Sequence, residues 1–344
     1  MATPVTGSRT APAVLAWSRD LVRPPLLHAV QGLPATVRHI AGYHLGWWDH
    51  HGRPARTSSG KSVRPALALL AAESRGAPAE SALPAAVAVE LAHNFSLLHD
   101  DVLDQDTTRR HRPTAWAVFG TGAAILTGDA LLALATDVLA TSASPATAHD
   151  LSTAVLSLVE GEQSDLSFET RDDVTLAECV SMVEHKTAPL LAAACALGAT
   201  FAGAPPDVTA HLHAFGHALG VAYQHVDDLL GIWGDPKTTG KPAHADLVRR
   251  KKSLPVVAAL TSGTAAGDEL AALYGTVDAD PGAWRPWSSE PAAGRGANRK
   301  RTACSPKHST TSPPPTPRPE PPPNSPPWPT SSSAATPEGP GARR

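Results

Sequence analysis

Along most of this chain apolar residues recur at the spacing of a helix, and no segment shows the two-residue alternation of a half-buried strand. The polar stretch Arg56 to Gly60 reads as a loop. Lys61 to Glu73 opens a helix with Pro65 in its first turn, where proline is tolerated. Ala77 to Leu103 reads as one long apolar helix, followed by further helices over Ala123 to Leu139, Ala146 to Leu166, Leu176 to Leu197 and Val208 to Ile232. Before them, Pro25 to about Trp48 is helical in spacing but broken by prolines and glycines, and residues 1–23 read as a loosely structured lead. Alanine and leucine dominate these segments and favour helix. The pattern predicts an all-α bundle of long helices over residues 24–280. Beyond it, residues 281–344 contain no Leu, Ile, Val, Met or Phe and hold 17 of the chain's 34 prolines. Such a stretch cannot bury a core and is expected to be disordered.

Two of the apolar helices carry charge that packing does not explain. Leu91 to Thr114 gathers Asp100, Asp101 and Asp104, with Asp106 close behind. Asp100 and Asp104 are four apart, so a helix stacks them on one face, where like charges repel. A hard cation resolves the repulsion: carboxylate oxygens suit magnesium, which also keeps waters and binds phosphate. Arg109 and Arg110 follow, with forks suited to phosphate. Tyr223 to Pro255 repeats the arrangement with Asp227 and Asp228, then Lys241 and the basic run Arg249 to Lys252. Two acidic helices facing one another across a cavity would hold metal ions between them, a geometry suited to a diphosphate.

Composition narrows the field. A hydrophobic content of 42% supplies a core, and a net charge of −3 gives no reason to expect nucleic acid as a partner. Cys179, Cys195 and Cys304 have neither metal-ligand nor redox spacing, which points to a reducing, cytoplasmic setting. The N-terminus lacks a positive-then-apolar signal, and no run of about twenty apolar residues suggests a membrane span. The sixteen histidines form no zinc pattern.

Taken together, these motifs resemble the trans-isoprenyl diphosphate synthases, the polyprenyl synthetase family, from about Gly60 to Leu260. GKSVRP at Gly60 to Pro65 is similar to the family's GGKRLRP segment, which implies that Lys61 and Arg64 contact isopentenyl diphosphate. His93 falls on the histidine that helps bind the same substrate. Asp100, Asp101 and Asp104 match the first aspartate-rich motif. The arginine pair after it is matched by Arg109, implied to face the allylic diphosphate, and Arg110, implied to face isopentenyl diphosphate. Gly128 and Asp129, and GEQSD at Gly161 to Asp165, match shorter signatures. Lys186 and Thr187 match a KT pair whose lysine meets the allylic diphosphate. Gln224, Asp227 and Asp228 match the second aspartate-rich motif, and Lys241 and Lys251 two later lysines. Alone, His93 reads as a core histidine, Lys186 as a surface lysine and Gln224 as a packing amide; order and spacing together carry the resemblance.

The resemblance implies the isoprenoid synthase fold, long helices around a central cavity, and a homodimer. It implies magnesium, three ions with bound diphosphate, at Asp100, Asp101, Asp104, Asp227 and Asp228. Lys186, Thr187 and Gln224 would serve the reaction, Thr187 and Gln224 by offering dipoles to a carbocation. Phe95 and Ser96, just before the first motif, would set product length. One aromatic there without an insertion in the motif looks like a geranylgeranyl type, with farnesyl next. Two departures stand out: Gly231 occupies the last position of the second DDxxD, and Arg250 stands where the family has glycine before the last lysine. The tail is a third: it reads either as a natural Pro/Ser-rich tail or, the preferred reading, as a reading-frame slip near residue 280, since the shifted frame can encode amphipathic helices resembling the family's C-terminal end. Rival readings are a non-catalytic partner subunit of a heteromeric synthase, favoured by Gly231, and a class I terpene cyclase, which would carry an NSE-type second motif and need no GKxxR segment.

Overall fold

The structure is a computed structural model that describes residues 9–55, 60–142, 145–235 and 245–275. The chain divides into two units, Met1–Ser305 and Pro306–Arg344, and every described residue belongs to the first. Lys241, Cys304 and the tail 281–344 lie outside the described residues.

The body is helical, as the apolar spacing predicts. Its centre is α4 (Leu83–Leu103), preceded by a single 3-10 turn at Ala79–Ala82. Thirteen of the fourteen residues from Ala85 to Leu98 are buried, all but His93. A helix apolar on every side belongs inside a bundle. The second central helix is α9 (Ala188–Phe201), buried almost continuously from Ala188 to Ala199. Around this pair pack α3 (Val63–Glu73), α6 (Thr121–Ser142), α7 (Pro145–Glu169) and α10 (Pro206–Trp233).

Four readings of the sequence need correction. From Ala11 onward the lead is not loose: α1 (Ala11–Gln31) buries Ser18, Val22, Leu26 and Val30, a four-residue stripe that holds the helix through Pro24 and Pro25. It is followed by α2 (Ala35–His44). Leu176 to Leu197 is not one helix. It breaks at Thr187 (φ −106°) into α8 (Leu176–Lys186) and α9, because Pro189 in the first turn of α9 has no N–H to carry the ladder through. A strand pair is also present: β1 (Thr108–Arg109) pairs antiparallel with β2 (Arg112–Pro113). Lastly, Ala79–Leu103 and Thr121–Ser142 are both long and apolar enough to cross a membrane by length and composition. The first is 72% buried over its most apolar window and is core; only 33% of the second is buried, and it leaves apolar side chains on the surface. The remaining described elements are α5 (Ala115–Phe119), α11 (Ala245–Val248), α12 (Leu254–Leu260) and α13 (Ala265–Gly275).

Candidate active site

Both aspartate-rich motifs sit at the C-terminal ends of their helices, where the backbone dipole is negative and disfavours carboxylates. On α4 the ending is a left-handed cap. Gln105 takes φ +53°, its N–H bonds Val102 O, and Asp106 N–H bonds Asp101 O at 2.9 Å. The cap turns the chain sharply, leaving Asp104 exposed at the rim while Asp101 stays buried. Removal from water pushes Asp100 up to about 7, reinforced by Glu162 and opposed by Lys186 and Arg109. It also pushes Asp101 up to about 6 against the pull of Arg109, 2.7 Å away.

On α10, Asp228 is buried and Asp227 exposed. Thr187 Oγ1 donates to Gln224 Oε1 at 2.7 Å, and Gln224 Nε2 donates to Asp228 Oδ1 at 2.9 Å. The helix break at Thr187 therefore has a use: it frees the KT pair to turn into the site. Lys186 Nζ lies 2.7 Å from Asp165 and 2.8 Å from Glu162, and Lys251 lies 3.6 Å from the same Asp165. Asp165 is held below the usual carboxylate range by Lys251 and Lys186 against its burial, and both lysines are pushed up. Lys251 also feels Asp228 and Asp104, so the two acidic ends share one cationic bridge. Gly161 permits this: a Cβ there would meet Lys186 N at once, so α7 and the KT junction touch backbone to backbone.

A second, basic cluster lies beside the first. Between β1 and β2 the chain turns through Arg110 (φ +52°) and His111 (φ +61°), the geometry of a tight hairpin turn. Arg112 fixes the hairpin by donating to Tyr43 O at 3.3 Å and Trp48 O at 3.2 Å, and Tyr43 donates to Pro113 O at 2.8 Å. The turn delivers Arg110 against Gly60, in a left-handed conformation at φ +92°. Arg64 and Arg110 flank the buried Glu90, and His93 and His44 lie beside those arginines. Burial and the neighbouring arginines hold both histidines neutral, His44 down to about 3. Desolvation lowers Arg64 and Arg110 and raises Glu90, each partly compensated by the others. A cleft lined by His44, Asp101, Arg109 and Arg110 opens between the clusters.

Of the residues singled out from sequence, Asp100, Asp101, Lys186, Thr187, Gln224, Asp228 and Lys251 come together in the acidic cluster, and Arg64, His93 and Arg110 in the basic one. Arg109 is paired with Asp101. Lys61 is exposed just ahead of α3. Phe95 and Ser96 are buried on α4, with Phe95 edge-on to His99 at 4.7 Å and Ser96 donating to His93 O. Sequence reasoning missed Glu162, Asp165, Glu90 and His44 as site residues. It also missed the ion pair of Asp106 with Arg249, which ties the basic run back to the first motif. Lys252 instead donates to Phe168 O and Arg171 O at the end of α7 and serves the fold.

The donors present fit magnesium. Among the described residues, Asp101 Oδ2, Asp228 Oδ2 and Glu162 Oε1 are buried with no hydrogen-bond partner, while Glu162 Oε2 meets Lys186. Among the described residues no three His, Cys, Asp or Glu groups converge to hold an ion unaided.

The site is thus two acidic helix ends of a helical bundle, bridged by lysines, with a basic cluster adjoining them. The family model for polyprenyl synthetase matches residues 51–285, and the chain belongs to that family. It is 49% identical over 267 residues to a (2E,6E)-farnesyl diphosphate synthase of Mycobacterium tuberculosis (strain ATCC 25618 / H37Rv), covering 77% of this chain and 74% of that protein. It is also 49% identical over 255 residues to a geranylgeranyl diphosphate synthase of the same strain, covering 73% of each. The crystal structure of a polyprenyl synthetase from Streptomyces coelicolor A3(2) superposes with a TM-score of 0.78 at 44% identity, covering 86% of this chain and 92% of that one.

Proposed function

We propose that the chain is a magnesium-dependent prenyltransferase that joins isopentenyl diphosphate to an allylic diphosphate, giving a short-chain all-trans prenyl diphosphate. The observation that carries this is the pairing of two charged clusters of different chemistry. One is acidic and bridged by lysines; the other is basic, with Glu90 for internal balance. Asp100, Asp101, Asp104, Asp227 and Asp228 would hold magnesium, which when bound neutralises the diphosphate of the allylic substrate. Lys186, Lys251 and Arg109 add fixed positive charge where that diphosphate departs as its carbon–oxygen bond breaks. Lys61, Arg64, His93 and Arg110 would hold isopentenyl diphosphate so that its double bond forms the new carbon–carbon bond, with the lost proton passing to the departed diphosphate. Thr187 and Gln224 direct their dipoles at the cation, and the apolar walls of α4 and α6 keep water out.

For product length, the single aromatic Phe95 followed by the small Ser96 supports geranylgeranyl over farnesyl diphosphate. Relatives of equal identity bear both names, so the preference rests on those two side chains. A homodimer is supported by Ile125 and Leu126 on α6 and by Leu156 and Val159 on α7, large apolar side chains exposed on adjoining helices. The neutral, buried thiols of Cys179 and Cys195, both pushed up to about 12 by burial, accord with a cytoplasmic setting. The frame slip is supported by the family match ending at residue 285 and by Phe215 (56% exposed) and Leu230 (42% exposed) on α10. Resequencing the coding DNA tests it.

The functional reading is tested by incubating the protein with labelled isopentenyl diphosphate, magnesium and each allylic primer, then separating products by chain length. One geranylgeranyl-length product is expected. Incorporation into no product with any primer would turn the reading toward a non-catalytic partner subunit.

A further inference from the structure

The second acidic motif lacks its third carboxylate, because position 231 is glycine. On α10 that position lies four residues beyond Asp227 and three beyond Asp228, so its side chain would stand on their face of the helix, one turn onward. The space is not empty. A Cβ built on Gly231 would collide with the carboxylate of Asp246, meeting Oδ2 and Cγ and coming within 2.9 Å of Oδ1. Asp246 comes from a different element, the short α11, which packs against α10. Its charge acts on Asp228, Lys251 and Arg249, the groups that border the acidic end.

We infer that Asp246 supplies, from α11, the carboxylate that Gly231 does not, and that it is a positioning or ligating group for the magnesium–diphosphate complex at Asp227 and Asp228. An independent observation points to a ligand there. Asp228, 3% exposed, keeps Oδ2 buried with no hydrogen-bond partner among the described residues, while its Oδ1 is taken by Gln224. A buried carboxylate oxygen left unbonded is costly, and a hydrated cation held there would remove that cost. Glycine at 231 leaves open the space that the Asp246 carboxylate occupies.

This inference rests on reading the acidic helix ends as a magnesium–diphosphate site. The probe is inorganic diphosphate, with magnesium titrated and binding read by calorimetry. The proteins are wild type, Asp246→Asn, and the exchange Gly231→Asp with Asp246→Ala, which returns the carboxylate to α10. Loss of a group that orients metal ligands costs about 10- to 100-fold in metal affinity, so Asp246→Asn should raise the magnesium midpoint by about tenfold or more. The exchange variant should recover most of that loss. Unfolding of each metal-free variant is followed by circular dichroism, and Asp246→Asn should melt like wild type because the substitution is isosteric. An unchanged midpoint in Asp246→Asn overturns the inference, as does a raised midpoint that the exchange leaves uncorrected. If the wild-type chain binds diphosphate equally with and without magnesium, the reading of the helix ends fails first.

Discussion

Replacing Gly60 by alanine separates the two substrates. Gly60 has φ +92°, and its missing side chain faces Arg110: an added Cβ would lie 2.7 Å from Nη2 and 3.0 Å from Cζ. The backbone of Arg110 is fixed at φ +52° in the hairpin that Arg112 and Tyr43 strap down, so the guanidinium yields by swinging its own side chain out of place. Two costs follow. An L-residue at this φ strains the loop by about 1–2 kcal/mol, which lowers stability. Displacing Arg110 removes a charge-assisted hydrogen bond to the bound phosphate worth about 1.5–3 kcal/mol. At 1.36 kcal/mol per factor of ten, kcat/KM for isopentenyl diphosphate should fall about 10- to 150-fold. The KM for the allylic diphosphate should stay unchanged, since Lys186, Lys251 and Asp101 are untouched. Initial rates with each substrate varied in turn make the test. An equal loss for both substrates, or a fall in melting temperature with kinetics unchanged, would refute the placement of Arg110.

Other perturbations probe different parts of the structure. Arg250 has φ +55° and closes α11 through Arg250 N–H to Leu247 O and Lys251 N–H to Asp246 O, a cap that favours glycine; Arg250→Gly should raise stability by about 1 kcal/mol, read by denaturant unfolding. Asp165→Asn leaves Lys186 and Lys251 sharing no carboxylate between them, and because Lys251 is 34% exposed the loss should be about 2–4 kcal/mol, somewhat below that of a fully buried pair. Asp228 is raised from 3.8 to about 6 by burial, so the folded metal-free protein binds a proton there that the unfolded chain releases. Its contribution therefore falls as pH rises from about 4 to 6 and is level above, by about 3 kcal/mol in all. Comparing wild type with Asp228→Asn across that window isolates it; a difference that is flat with pH would contradict the burial of Asp228.

The acidic motifs and the long helices were legible because each depends on local spacing, and the KT pair was legible only through its resemblance to the family's motif. Asp100 and Asp104 announce themselves four apart, and α4 and α10 carry sustained apolar runs. What escaped depends on contacts distant in sequence. Nothing in TRRHRP signals a hairpin, since it has neither glycine nor apolar alternation; Arg112 makes it by bonding carbonyls about 65 residues away. The break at Thr187 was signalled by Pro189 but hidden by unbroken apolar character on either side. His44 had a trace in the sequence: it is a polar residue following the buried run Ile40 to Tyr43, and such an exception marks a position with a polar partner. Glu162 and Asp165 sit in the GEQSD signature, yet only the fold shows that both meet Lys186.

Calorimetry of the two substrates, each with and without magnesium, tests the central claim of two diphosphate sites of unlike chemistry most directly. Isopentenyl diphosphate should bind the metal-free protein through Arg64, His93 and Arg110, and a non-ionising allylic thiolodiphosphate should bind only once magnesium is added. If both ligands require the metal, or neither does, the division of the site into an acidic and a basic half is wrong.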